Sequence, residues 1–522
     1  MAIPVIKLGG EQLNTALFDE LIITVTQELN THWWCRLDLR ETPDKRFAAE
    51  DHLGKTVQIL TYDDQGQENE LFKGIIVESE LEYEIYGSYS AHLTATTKSY
   101  FLDLAPRRQY FPKQTAKDAA EKLINSAGLQ LSGSMPAGKS HGYFQAEETD
   151  FDFIRRLVDD VEGWLRPTAD GIEVQTSFQQ GIELQWRGED ALLEFRVTGK
   201  LSQPSCNGAH YDPKVMQSKI FTEVKDDPKF FGSAQKMVDA VKEQSQNLLP
   251  PDYIFQRSRM DTVDDFETLL KKESRRSLGR TVVGKGVGRN PKVCPGNQLK
   301  IEGDLDAKGT YGVTKVVHQW KGTGYINHFE CTPWTNWMAP KAPALRPLQG
   351  LVPARVVDNN DPDNSGRIKV QFYWQEENHT DWMTMMAPHA GADRGFMFLP
   401  EIGDEVWVAF EEGDPERGRV LGSAWNGIEK PPREEFWGQD VGPNDVKRIV
   451  TKSGHRISIV DKEGQNSIVL ATPKHLKVSL IENSNETGDA MLALHSDGDI
   501  FLSAPNGRIH FHSKFFSREV GS

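Results

Sequence analysis

Apolar and polar residues alternate along most of residues 3–105, and the runs are rich in β-branched and aromatic side chains, as in Ile22-Ile23-Thr24-Val25 and Ser90-Ala91-His92-Leu93-Thr94-Ala95-Thr96. A period of two sends successive side chains to opposite faces of a strand, so this stretch predicts a β-barrel or sandwich. Two later segments switch to helical spacing. Thr115 is placed to cap a helix with an apolar face of Ala119, Leu123 and Ile124 that stops at Gly128. Thr149, with Asp152 three residues on, opens a second helix that buries Phe153, Ile154, Leu157, Val158 and Val161 before Gly163. Two further helical stretches, about 234–244 and 263–278, follow. The latter is charged on most faces and is expected to lie on the surface.

The run Ala339-Pro340-Lys341-Ala342-Pro343-Ala344-Leu345-Arg346-Pro347 is proline-rich, which favours an extended, stiff connector. Beyond it the β pattern returns. Gly350-Leu351-Val352-Pro353-Ala354-Arg355-Val356-Val357 leads to the turn Asp361-Pro362-Asp363-Asn364-Ser365-Gly366 and the alternating strand Arg367-Ile368-Lys369-Val370-Gln371-Phe372. Glu401-Ile402-Gly403-Asp404-Glu405-Val406-Trp407-Val408 and Leu421-Gly422-Ser423-Ala424-Trp425-Asn426-Gly427 complete the stretch.

A second linker, Lys430-Pro431-Pro432-Arg433-Glu434, precedes an irregular repeat of very short alternating segments: Ile457/Ile459, Ile468/Leu470, Leu476/Val478/Leu480, Leu492/Leu494, Ile500/Leu502 and Ile509/Phe511. No helix follows to cover them. Ordering such a segment costs ~1–2 kcal/mol per residue, whereas a buried aliphatic side chain returns ~1.5–3 kcal/mol only when burial is complete. Open strand edges also invite pairing. Three chains winding together would hide one face of every strand and satisfy the edges reciprocally.

A chain of 522 residues exceeds one hydrophobic core and should divide into three or four domains. Its net charge of −16 argues against wrapping nucleic acid, whose phosphates demand a basic surface. The four cysteines, Cys35, Cys206, Cys294 and Cys331, lack the paired short spacing of a zinc site or a disulfide framework, and read as buried free thiols. Met1-Ala2-Ile3-Pro4-Val5-Ile6-Lys7 has no basic region followed by a long apolar one, so cytoplasmic synthesis is expected. No stretch approaches the ~20 apolar residues of a spanning helix.

In this order, the pieces of residues 350–427 resemble the oligosaccharide-binding-type (OB) barrel of VgrG proteins of type VI secretion and of the spikes of contractile phages and phage-tail-like particles. Tyr143-Phe144-Gln145-Ala146-Glu147-Glu148-Thr149-Asp150-Phe151-Asp152-Phe153-Ile154-Arg155-Arg156-Leu157 with Gly163-Trp164 is similar to the hub signature of that family, with Glu147-Glu148-Thr149-Asp150 where aromatic-x-Glu-Ser-Asp is usual. Pro295-Gly296-Asn297-Gln298-Leu299, Val317-His318 and Tyr325-Ile326-Asn327-His328-Phe329 resemble the end of the hub.

The resemblance implies a mainly β protein. Residues 1–338 would form a tail hub of two β-barrels with inserted helices, 339–348 a linker, 349–428 the OB-fold spike base, 429–446 a second linker, and 447–522 an intertwined trimeric triangular β-prism, a form of β-helix. It implies a non-enzymatic homotrimer that caps a hexameric tail-tube protein among baseplate proteins. The trimer would carry a PAAR-type tip protein and effectors, and would pierce a membrane mechanically. Such a protein is assembled in the cytoplasm and leaves the cell on firing. In some spikes of this kind His-x-His pairs gather an axial metal. Here His510-Phe511-His512 is the weak counterpart, and alternation with Ile509 and Phe511 inward leaves both histidines solvated, so no metal or other cofactor is expected.

Other matches lack their context. Gly133-Ser134-Met135-Pro136-Ala137-Gly138-Lys139-Ser140 fits the phosphate-loop pattern, but His141-Gly142-Tyr143 breaks the helix that must start at the lysine. The same loop fits a nucleophile elbow, again without strand, turn and helix. Asp361 opens half a calcium loop whose twelfth position is Phe372, not glutamate. The rival reading from another class is a glycan or single-strand nucleic-acid binder using the barrel, against which stand Asp358, Asp361, Glu376, Glu377 and Asp381.

Overall fold

The computed structural model describes residues 4–41, 47–62, 66–83, 85, 89–188, 192–212, 216–226, 229–255, 263–322, 324–340, 348–375, 378–432, 444–464, 466–474, 476–482 and 490–514. It forms two compact units, 1–424 and 425–522.

In the first unit a thirteen-stranded sheet carries two apolar cores. The alternation read from residues 3–105 becomes Val5–Leu8, Phe18–Glu28, Trp34–Glu41, Thr56–Tyr62, Glu68–Tyr83 and Tyr89–Thr96. Their inward residues, among them Ile23, Val25, Leu37, Ile59 and Leu93, fill the first core. The sequence gives no sign of the closing strand. Phe18–Glu28 pairs on one side with Trp34–Glu41 and on the other with Gly309–Lys321, from Lys315 opposite Glu28 to Lys321 opposite Ile22. Trp320 thereby enters the first core. Tyr311, Val313 and Val316 of the same strand enter a second core with Leu184, Leu299 and Phe329. One long strand therefore joins the two barrel-like halves.

Helix α1 (Ala116–Ser126) starts at Thr115, whose hydroxyl accepts from the Asp118 amide while Asp118 receives the Thr115 amide, closing a capping box. Helix α2 (Asp150–Asp160) starts at Thr149, which caps the Asp152 amide. The buried faces of both helices share a third core with Phe111, Tyr143 and Val174.

Helix α3 spans Gln235–Leu248 and α4 spans Val263–Leu278. The expectation that α4 lies on the surface is wrong. Phe266, Leu270 and Ser274 are fully buried, and Lys272 (7% exposed) and Arg276 (4%) are buried with them. Their charges are matched from α2, where Asp159 receives Lys272 at 3.2 Å and Arg276 at 2.6 Å. Burial alone would raise the Asp159 pKa, but these two cations outweigh it and lower it.

Residues 351–423 form a five-stranded sheet in the order Met383–Thr384, Arg367–Phe372, Leu351–Asp358, Glu405–Phe410, Gly418–Ser423. Ala354, Val356, Ile368, Val370, Phe372, Val406, Val408 and Val420 alternate into its core. The Asp361 turn is closed by protein groups, since its carboxylate accepts the amides of Asp363 and Ser365 and the Arg367 guanidinium at 2.6 Å. That guanidinium holds Asp361 well below the usual carboxylate range.

The second unit holds consecutive antiparallel strands Val446–Val450, Arg456–Val460, Asn466–Ala471, Lys477–Glu482 and Ala490–His495. The strands expected at Ile500/Leu502 and Ile509/Phe511 are absent, as those residues pair with nothing in a ladder and are exposed. An extended segment without a neighbouring edge leaves its amides and carbonyls to water, so alternation alone does not make a strand. Most of the first proline-rich linker (341–347) and much of the second (433–443) lie outside the described residues, as do Glu376 and Glu377.

Candidate functional site

The hub signature builds a joint. Strand His141–Glu148 pairs with Arg107–Gln114, and neighbouring residues of this ribbon serve different cores. Tyr143 and Phe111 point into the core of α1 and α2, while Phe144, Ala146 and Tyr110 point into the core of the 351–423 barrel. Phe144 meets Trp374 edge-on at 5.4 Å and Phe372 edge-on at 6.0 Å, and lies 6.0 Å from Phe410. The Tyr110 hydroxyl accepts the Asp381 amide at 3.0 Å. Only glycine fits at 142, because a Cβ there would collide with that hydroxyl.

Arg156 of α2 locks the joint. Its guanidinium donates to the Phe144 carbonyl at 2.6 Å, to Glu148 at 2.8 Å and to Glu416 of the barrel at 2.9 Å. Burial works against its charge, yet Glu148 and Glu416 raise its pKa above the ordinary value. One more carboxyl, Asp414, is buried beside it. Burial, followed by the Glu416 charge, raises Asp414 to about 7. Glu148 is raised by burial against the pull of Arg156. The signature's residue types are thus accounted for by capping, packing and a buried ion network. The partners Tyr110, Asp414 and Glu416 escaped the sequence reading, because contacts between residues hundreds of positions apart leave no local signal.

The second candidate surface is the sheet of the second unit. Register aligns two ladders of aliphatic residues on one face: Ile449, Ile457, Leu470, Val478 and Leu494, and beside them Ile459, Ile468, Leu480 and Leu492. Each is 38–64% exposed, whereas Ser458, Val460, Ser467, Val469 and Ser479 of the other face are buried. A contiguous apolar face of this kind marks an association surface.

His510 and His512 are exposed and lie outside any strand, and among the described residues no three His, Cys, Asp or Glu side chains gather at metal-binding distances. The phosphate-loop match runs from strand Gln130–Gly133 into strand His141–Glu148, so no helix starts at its lysine, and Lys139 pairs with Asp265. Ser99, His32 and Asp103 form a hydrogen-bonded trio, with His32 Nδ1 2.9 Å from Ser99 and Nε2 3.3 Å from Asp103. Ser99 is 1% exposed, and Asp103 also receives the Thr149 capping hydroxyl at 2.5 Å, so the trio braces the start of α2. Cys35, Cys206 and Cys331 are buried free thiols, and Cys294 is partly exposed.

A family profile described as the type VI secretion system/phage-baseplate injector OB domain matches residues 352–425, and one described as the Alg8 N-terminal domain matches residues 3–186. Among curated relatives, the type VI secretion system spike protein VgrG5 of Pseudomonas aeruginosa is 29% identical over 163 residues, 28% of this chain and 20% of that protein. The actin cross-linking toxin VgrG1 of Vibrio cholerae is 28% identical over 32% of this chain and 16% of its own. The chain thus spans about a fifth of the length of the curated relatives it matches.

Among solved structures, the fold is similar to the E. coli c3393 protein, described as a type VI secretion component with structural similarity to the T4 tail proteins gp27 and gp5. There the TM-score is 0.53 and the identity 18%, over 80% of this chain and 99% of that one. It is also similar to the lidded Francisella PdpA–VgrG complex, with TM-score 0.60 and 9% identity over 95% and 80% of the two chains. The OB-domain match, the spike relatives and the shared fold together make the chain similar to VgrG spike proteins, with residues 352–425 carrying the injector OB domain.

Proposed function

We propose that this chain is the structural hub and spike of a contractile injection system, working as a homotrimer without enzymatic activity of its own. The observation that carries this reading is the double aliphatic ladder of the second unit, which three chains together would bury around a common axis. In this reading the barrel-like halves cap a hexameric tail-tube protein within a baseplate. The end of the spike carries a PAAR-type tip protein, effectors travel with it, and the target membrane is pierced by force. The joint at Arg156 supports the mechanical role, since a spike base must transmit thrust from the hub without hinging. Among the described residues no helix is long and apolar enough to cross a membrane. Assembly takes place in the cytoplasm, and the particle leaves on firing.

Light scattering of the full chain at micromolar concentration tests this reading, with a mass three times the 58.8 kDa of one chain as the expected result. A monomer with a protease-resistant C-terminal region would remove its basis. The spike holds no tightly bound metal, so elemental analysis should give well under one transition metal per trimer. About one iron per three chains, lost on His512→Ala, would assign the histidines to the axis instead. The rival reading, nucleic-acid binding by the OB barrel, is opposed by Asp358, Asp361 and Asp381, and filter binding at low salt separates the two.

A further inference from the structure

Outside the joint and the ladders, the first unit contains a cleft of about 450 Å³ that nothing in the spike reading uses. Its volume is within the ~300–1,000 Å³ range of small-molecule sites. It lies where two sheet irregularities meet. One is the bulge that leaves Leu71 unpaired between Ile59 and Leu60 of the facing strand, and the other is the register shift across Gln180 and Gly181. Bulges re-aim side chains and are common beside binding sites. Gln27, 2% exposed, lines the cleft, and its amide nitrogen donates to the Leu71 carbonyl at 2.7 Å. Its carbonyl oxygen is buried with no partner among the described residues. A buried amide oxygen left unpaired costs ~1–3 kcal/mol, so a ligand able to donate a hydrogen bond gains by satisfying it.

The rest of the wall narrows the chemistry. The exposed Gln180 can donate and accept, and Asn69 and Asn297 add amides that are bonded in part to Thr61 and Arg166. The cations do not suit a phosphate or sulfate. Lys73, Arg166 and Lys292 line the cleft with Glu70 and Glu173, and of these cations Arg166 is already held by Glu173 at 2.7 Å and by the Pro295 carbonyl at 3.0 Å, while Lys73 lies 3.8 Å from Asp170. An acceptor-only anion would also leave the Gln27 oxygen unsatisfied. A ligand with many hydroxyl or N–H groups and little charge meets every requirement. We infer that this cleft between the bulges at Leu71 and Gln180–Gly181 binds a short saccharide, with Gln27 accepting one of its hydrogen bonds. The inference does not depend on the spike reading, since it concerns a different face and a different ligand.

Saturation-transfer NMR on the full-length protein, with triacetylchitotriose and maltotriose as probes, tests it. At least one probe should receive saturation at millimolar concentration. Gln27→Met should weaken binding about tenfold, and so should Gln180→Ala, which alters only an exposed side chain and keeps the test valid if the Gln27 variant unfolds. Absence of transfer to both probes in the wild type would overturn the assignment, as would binding unchanged in a folded Gln27→Met protein and in Gln180→Ala. Loss of tube or tip binding without loss of saccharide binding would count against the spike reading alone.

Discussion

Replacing Arg156 with leucine should open the joint between hub and barrel. The side chain is 17% exposed and its partners Glu148 and Glu416 are 11% and 9% exposed, so the pair belongs with buried ion pairs rather than with surface ones. Leucine removes three hydrogen bonds, those to the Phe144 carbonyl, Glu148 and Glu416, and leaves two carboxylates and a carbonyl buried without their donor. Breaking a buried pair from one side costs ~3–5 kcal/mol. Hydrogen exchange of His141–Glu148 and Glu405–Phe410 reads this locally. Protection should fall by about two to three and a half decades, at 1.4 kcal/mol per decade. Arg156→Met combined with Glu148→Gln and Glu416→Gln should recover most of the loss, because removing all the charges together strands none of them. Protection within threefold of wild type in Arg156→Leu would refute the reasoning.

The joint should also depend on pH. Asp414, raised to about 7, binds a proton more readily folded than unfolded. Its contribution is therefore complete below the ordinary aspartate range and lost as pH rises through 7, and Asp414→Asn should flatten that loss in urea titrations between pH 5 and 8. Ile468→Asp places a charge within the aliphatic ladder. It should cost several kcal/mol per chain on trimer assembly and render the C-terminal unit protease-sensitive while residues 351–423 stay folded, as limited proteolysis with mass spectrometry would show. Lys139→Ala breaks only an ion pair whose lysine is 70% exposed, so the melting temperature should be unchanged within error. Micromolar ATP binding abolished by that substitution would contradict the strand-to-strand context of the loop.

What the sequence displayed was local. Thr115 and Thr149 announce α1 and α2 because a cap is a bond between residues three apart, and the barrel strands at 351–423 carry their alternation openly. What it concealed was paired at long range. Lys272 and Arg276 look like a solvated face until Asp159, more than a hundred residues earlier, is brought beneath them. Glu416 looks like part of a surface turn until Arg156 reaches it. The strand patterns at Ile500/Leu502 and Ile509/Phe511 mislead for the complementary reason, since side-chain alternation says which face is apolar but not which edge will pair.

The pairing of Phe18–Glu28 with Gly309–Lys321 also governs the order in which the chain can be made. On the ribosome the early strand emerges with one edge satisfied by Trp34–Glu41 and the other open. At ~5–20 residues per second, its second neighbour follows about 15–60 seconds later. Throughout that interval Ile23 and Val25 border an unsealed core that lacks Trp320, and the free edge is a template for any extended strand nearby. The high contact order of this single ladder makes completion of the first barrel a late event in folding. A nascent chain stalled before residue 309 therefore presents a chaperone-binding and aggregation-prone edge that the finished protein conceals.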